Sequence, residues 1–324
     1  MVIYLEKELF KDSNRDDLLL ILHLGIKNQT FIQFDDDDED VKNWQENNNP
    51  EGWDEVFRCW ISDATKFQQM NKAIVREELL ESDWLSGEFP IITLTDAYYL
   101  IIKSFELWLE NERNDGSFIR CVIDDDVRDR FDQLRSRGRL KLNGLGGIGE
   151  MKAVLRLEPK EFGFRNKIFV ICDSDAANPS IRDENAEEIV AICNDNKIWH
   201  HCLERRAIEN YVPINYLADK MNPLQRTNSD LGKKYDAFLS LNINQKNHFH
   251  MKNGFKNLGC LNSGLYDSLA DDVKTLLEGG FGDKLSEVFS DEDPEIIHNH
   301  IHGDGDPELN SIFTKINHFM RVPV

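Results

Sequence analysis

Four short segments of strand character between Phe105 and Pro213 (FELWLE, LKLN, IFVIC and IWHHCLE) are separated by stretches of helical character. The continuous apolar run IFVIC, bounded by turn-forming residues, suits a strand buried on both faces of a parallel sheet. Strand and helix in alternation define a βαβ array. This part of the chain is therefore expected to be α/β, with a Rossmann-like parallel sheet.

The run Ile168 to Cys172 passes directly into Asp173-Ser174-Asp175 and then Ala-Ala-Asn-Pro-Ser. Acids placed where such a strand stops lie at the carboxyl edge, where open α/β sheets bind ligands. Side chains alternate along an extended chain, so Asp173 and Asp175 point the same way if the chain stays extended through Ser174. Like charges this close repel unless a cation lies between them. An all-oxygen donor set suits a hard ion such as Mg²⁺. Glu110 ends FELWLE in the same expected sheet and adds a third acid, which makes a divalent-metal site for phosphodiester chemistry credible.

The rest of the chain divides by pattern. Residues 1–94 read as a mixed α/β unit, with a strand VIYLE, a helix DDLLLILHLGIKNQ and a strand TFIQFD. The acidic run Asp35 to Asp40 and the Asn/Pro/Gly-rich WQENNNPEGW read as loop, and Trp44, Trp53 and Trp60 as core aromatics. Residues 95–218 hold the βαβ array. A helix begins near Thr95-Asp96, and another runs from about Gly116 through Arg137 with Asp115 as its N-cap. Residues 219–324 read as mostly helical.

Charge narrows the function. A formal net charge of −21 repels nucleic acid at long range, so any phosphate-directed activity needs a local cationic site, a bound metal or a basic partner. Basic residues gather at Arg128 to Lys141, at Arg205-Arg206 and from Lys246 to Lys256. The six cysteines lack CxxC spacing and read as buried, reduced thiols of a cytoplasmic protein. No apolar run is long enough to span a bilayer, and Met1-Val-Ile-Tyr lacks a signal-peptide pattern, so no membrane association is expected.

Several motifs admit more than one reading. Gly144-Leu-Gly146-Gly147-Ile-Gly149 is a literal GxGxxG between a strand and a helix, as a dinucleotide site requires, or simply a tight turn with close helix approach. Asp173-Ser-Asp175 also resembles the opening motif of haloacid-dehalogenase-type phosphatases, in which the first Asp is the nucleophile, but Ala177 departs from that pattern. The pair could equally cap the following turn. His298, His300 and His302, with Asp304, alternate like a metal-binding strand or belong to a surface loop.

Taken together the acids resemble the Toprim family, whose pattern is a strand ending in Glu, a nearby Asp, a glycine turn, and a strand ending in Asp-x-Asp. The match runs through Leu109-Glu110-Asn111 with Asp115, Gly146-Gly147, and Asp173-Ser174-Asp175. It is closest to Toprim nucleases related to OLD-type and phage-defence effectors, with Leu203-Glu-Arg205-Arg206-Ala-Ile208-Glu209-Asn210-Tyr211 as a further matching segment. Asn111 stands where many members have Gly, and the Glu-to-Asp spacing is one residue longer than the commonest form. The resemblance covers about Asp96 to Pro213.

It implies a Mg²⁺- or Mn²⁺-dependent nuclease acting on DNA or RNA, with Glu110, Asp115, Asp173, Asp175 and Glu209 as metal-binding acids. Lys252 would touch the scissile phosphate, with Arg205 or Arg206 and Gly146-Gly147 beside it. It further implies a restrained homo-oligomeric effector in antiphage defence, with an OLD-like, ABC-type ATPase as candidate partner. The alternative from another class is a non-enzymatic acidic assembly subunit whose Toprim-like sheet holds metal only to stay folded.

Overall fold

The computed structural model describes residues 2–27, 30–48, 72–161, 167–302 and 305–320. Its frame is two four-stranded sheets, parallel throughout. The first has the order β2-β1-β3-β4, from β1 (Val2–Leu5), β2 (Phe31–Gln33), β3 (Lys72–Val75) and β4 (Ile91–Ile92). The second has the order β6-β5-β7-β8, from β5 (Phe105–Leu109), β6 (Leu140–Gly144), β7 (Ile168–Cys172) and β8 (Trp199–Cys202).

The second sheet is covered on both faces because its central strands, β5 and β7, carry apolar side chains on both. Alternation sends Leu107, Phe169 and Ile171 into one core and Trp108, Val170 and Cys172 into the other. Helices Glu112–Val122 and Asp125–Ser136 cover the first of these, together with Pro307–Phe319 from the end of the chain. Helices Ile148–Glu161 and Glu184–Asp195 cover the other. All five side chains of β7 are buried, each contributing about 2 kcal/mol relative to exposure. A charge at Val170, which is 0% exposed, would break this layer.

The C-terminal region is helical, as its pattern suggests, and joins the same core through Ile312, Ile316 and Phe319. Around the first sheet a separate core takes in Ile3, Leu5, Leu22, Ile32 and Trp44, and also Ala97, Leu100 and Ile101 from the helix Leu94–Ile102.

Four local expectations need correction. The stretch Glu39–Asn48 is a helix, because Val41 and Trp44 form a buried stripe one turn apart; only Asp35 to Asp38 precede it as a turn. Helix Leu94–Ile102 is capped by Thr93, whose hydroxyl accepts from the Asp96 amide. The single helix expected from Gly116 to Arg137 is two, broken at Ile123-Asp124, since Asp124 caps the second through the Val127 amide. Asp115 accordingly lies inside the first helix, and Asn111 is its N-cap. Finally, His298 to His302 belong to the helix Pro294–His302 and are neither strand nor loop. Trp53, Trp60, Cys59 and Asp304 lie outside the described residues.

Among the described residues, no helix is long and apolar enough to cross a membrane.

Candidate functional site

The order of the second sheet reverses at β5: β6 lies on one side of it, β7 and β8 on the other. The crevice at such a switch point, outside the carboxyl ends of β5 and β7, is where doubly wound sheets take ligands. Glu110 follows β5 and Asp173 follows β7, and they meet there: the Asp173 amide donates to Glu110 Oε1 at 3.1 Å.

Three further acids close around this pair. Asp115, one turn into the helix Glu112–Val122, accepts from the Asn111 amide at 2.9 Å and is buried. Glu209 lies on a 3₁₀ turn, Ile208–Tyr211, and is only 3% exposed. That turn is pinned to the site by the Ile208 amide, which donates to Asp173 Oδ1 at 3.2 Å. Asp175 arrives differently from the sequence expectation. The chain does not stay extended through Ser174. The amides of Ser174 and Asp175 both donate to the Arg206 carbonyl, and Asp175 adopts φ +46°, a left-handed conformation that Asp tolerates. Alternation along a strand therefore does not place Asp175; this turn does.

The electrostatics follow from crowding. Withdrawal from water, with Asp115 and Asp175 as neighbours, pushes Glu110 up to about 7. Burial and the Glu209 charge push Asp115 up to about 6. Asp173 is raised by burial and then by Glu110, Asp115, Glu209 and Asp175. Asp175 is raised by burial, against which the Arg206 guanidinium acts. A second cation enters the group: Lys252 Nζ lies 3.1 Å from Glu209 Oε1. Burial alone would lower the Lys252 pKa, but Glu209, Asp173 and Glu110 outweigh it and keep the lysine charged.

The two arginines left open by the sequence are separated by the structure. Arg205 is occupied: it donates to the Asn210 carbonyl at 2.9 Å, pairs with Asp306 and lies over the Tyr211 ring at 4.3 Å. Arg206 is 7% exposed, and among the described residues its Nη1 has no hydrogen-bond partner. Gly146 and Gly147 sit beside Glu110 at φ +84° and +119°, and the Gly146 amide donates to the Glu110 carbonyl at 3.1 Å. A side chain at Gly144 would place Cβ 2.7 Å from the Glu112 nitrogen, so this glycine allows the close approach of the helix carrying Asp115.

The rest of the Leu203-to-Tyr211 segment is scaffold. Asn210 Nδ2 donates to the carbonyls of Lys246 and Phe249, at 2.8 and 3.0 Å, and so ties Glu209 to the loop that brings Lys252. Tyr211 donates its hydroxyl to Glu308, which also accepts from the His201 ring at 3.1 Å. Nothing in the sequence singles out Glu308, since an Asp-Pro-Glu at a helix start reads only as a cap; its 5% exposure has no local signal. His298 and His302 bond to the carbonyls of Cys121 and Val122 at the end of a helix, at 3.0 and 2.8 Å, and are structural.

The acids Glu110, Asp115, Asp173, Asp175 and Glu209 offer only carboxylate oxygens, the donor type a hard divalent cation prefers. In this arrangement, among the described residues, no three His, Cys, Asp or Glu side chains are gathered closely enough to ligate one ion. Several oxygens are instead engaged by backbone amides and by Lys252. No family model matches the sequence, and no curated protein or solved structure matches it.

Proposed function

We propose that the protein is a divalent-metal-dependent nuclease of the Toprim type, hydrolysing phosphodiester bonds in DNA or RNA. The observation that supports it most is the meeting of Glu110 and Asp173 at the switch point of a parallel sheet, with Asp115, Asp175 and Glu209 around them and Lys252 facing in.

Glu110, Asp173 and Asp175, with Asp115 and Glu209, would hold Mg²⁺ or Mn²⁺, which when bound supplies an activated water and charge neutralisation at the leaving oxygen. The chain's own groups do the rest. Lys252 offsets charge on the phosphate, and Arg206, with a free N–H, is better disposed than Arg205 to share that task. The amides of Gly146-Gly147 border the same crevice. The acidic background keeps such an enzyme restrained until a partner or oligomerisation brings substrate to it. This suits an antiphage effector paired with an OLD-like ATPase.

A second reading rests on the oxygens not being gathered for ligation: an acidic assembly subunit with a degenerate Toprim-like sheet. Purified protein with Mn²⁺, offered single- and double-stranded DNA and RNA, separates the two. Cleavage abolished by Glu110→Ala and Asp173→Ala without unfolding supports the nuclease. Failure on every substrate, alone and with the products of neighbouring genes, sinks it.

A further inference from the structure

A cleft of about 860 Å³ opens beside the carboxylate rim, yet none of Glu110, Asp115, Asp173, Asp175, Glu209 or Lys252 lines it. Its wall is built from their sequence neighbours. Ala176 comes directly after Asp175, Asn210 after Glu209, and Lys246 and His248 lead toward Lys252. The volume falls within the roughly 300–1,000 Å³ of small-molecule sites and far exceeds what one cation needs.

The lining has three chemical parts. Lys246, half-buried, and Arg182, exposed, are cations with no ion pair or side-chain hydrogen bond among the described residues. Of the cleft's three acids, Asp306 is engaged by Arg205 and Glu308 by His201 and Tyr211, while Glu204 is exposed. Next, His248 Nδ1 lies 3.2 Å from the Ala176 carbonyl. A carbonyl only accepts, so Nδ1 carries the proton and Nε2 is left as an acceptor. Last comes an apolar wall of Val212, Pro213, Phe238 and Leu239, extended by Tyr216 with His300 against it, ring centroids 4.4 Å apart.

We propose that this cleft is a second binding site, separate from the carboxylate rim, and that it takes a free nucleotide. The phosphates meet Lys246 and Arg182, the base lies on the apolar wall, and an exocyclic amine donates to His248 Nε2. A bare anion would leave the apolar wall wet, and an apolar ligand would leave both cations unpaired. A polynucleotide running to the rim would need the rim acids in the lining, and they are absent from it.

The site is wired to the rim through backbone. His248 holds the carbonyl of Ala176, Asn210 holds those of Lys246 and Phe249, and the Arg206 amide donates to the Asn247 carbonyl at 2.9 Å. Occupancy therefore stiffens the segments that carry Asp175, Glu209 and Lys252. The binding itself does not rest on the nuclease reading.

The test is a titration of the full chain with N-methylanthraniloyl-ATP and -GTP in EDTA, which removes any metal-bridged binding at the rim. Competitors are AMP, adenosine, inorganic tripolyphosphate and a short oligonucleotide. Saturable binding is expected, weakened roughly tenfold or more by Lys246→Ala, the loss of one charge-assisted hydrogen bond. Ile243→Asp, at a cleft residue 66% exposed and so free of folding cost, should weaken it as well. Asp173→Asn, which acts only through the backbone coupling, should weaken it less than Lys246→Ala does. The proposal is overturned by no saturable binding at millimolar nucleotide, or by binding lost in Asp173→Asn and kept in Lys246→Ala. Competition by tripolyphosphate as strong as by ATP, or by the oligonucleotide alone, overturns it too.

Discussion

The two sheets of this protein share one strand order and differ in how they treat the same place. In each, the second strand lies on one side of the first and the third on the other, so each has a switch point between its first and third strands. In each, a glutamate succeeds the first strand: Glu6 after β1 and Glu110 after β5. The residue just past the third strand sets the two apart. After β3 comes Arg76, which grips Glu6 through two bonds of 2.8 Å, and the charge is cancelled at the surface. After β7 comes Asp173, and the charge is doubled in a half-buried crevice. A parallel sheet thus offers the same geometric opportunity twice. Among the described residues, one of the two rims is left electrostatically unsatisfied, and a site that must hold a cation needs that kind of dissatisfaction.

Removing the dissatisfaction should have the largest effect. Asp173→Asn keeps the shape and one acceptor for the Ile208 amide while deleting the charge that four other acids oppose. Mn²⁺-dependent cleavage should fall roughly a hundredfold or more, while the metal-free protein melts at a higher temperature at pH 8. Loss of both cleavage and stability would mean that Asp173 serves the fold rather than the chemistry.

Lys252→Met should lower both quantities. It strands Glu209, 3% exposed, without its cation, at a cost of about 1–2 kcal/mol given that the lysine is itself partly in water. Urea unfolding should show that loss, with cleavage reduced in parallel. An unchanged midpoint would mean that Glu209 finds another partner when the lysine is gone.

Much of this arrangement is legible in the residues themselves. A strand buried on both faces announces itself as an unbroken apolar run, so β7 and the acid that ends it can be placed from the sequence alone, and the strand-helix alternation around it places β5, β6 and β8. Turns are harder. Asp175 reaches the rim through a left-handed residue held by the Arg206 carbonyl, a long-range contact that leaves no local signal. The division of labour between Arg205 and Arg206 depends on Asp306, a hundred residues away in sequence. The helix at Glu39–Asn48 is hidden because its Asn-rich sequence is held by the burial of Val41 and Trp44, a case of packing overriding propensity.

Divalent metal and protons should relieve the second rim in competing ways. Without metal, Glu110 at about 7 and Asp115 at about 6 stand above their ordinary values of 4.5 and 3.8, so between those limits the folded chain binds more protons than the unfolded one. Stability must then rise as pH falls from 8 through 7 and 6. If the rim binds Mg²⁺ or Mn²⁺, the added ion should stabilise the fold by mass action and raise the melting temperature more at pH 8 than at pH 6. The whole-molecule charge of −21 also favours acid pH, so the informative comparison is with Glu110→Gln, which should flatten the slope near pH 7 and reduce the metal response. A parent-like slope in that variant would show that general repulsion, not the rim, controls the titration.

The smallest effect belongs to the first sheet, and it makes the comparison sharp. Glu6→Gln and Arg76→Ala break a bidentate pair with good geometry, yet the arginine side chain is 45% exposed, and an exposed pair trades its mutual attraction for hydration with little net change. Melting temperature should therefore stay within experimental error, with no altered pH slope between 6 and 8 and no change in metal response. If instead Arg76→Ala made the melting temperature rise with added Mg²⁺ at pH 8, Glu6 with its neighbours would be a latent cation site. The two rims would then differ only by one arginine, and the assignment of the chemistry to the second sheet would have to rest on Asp173 alone.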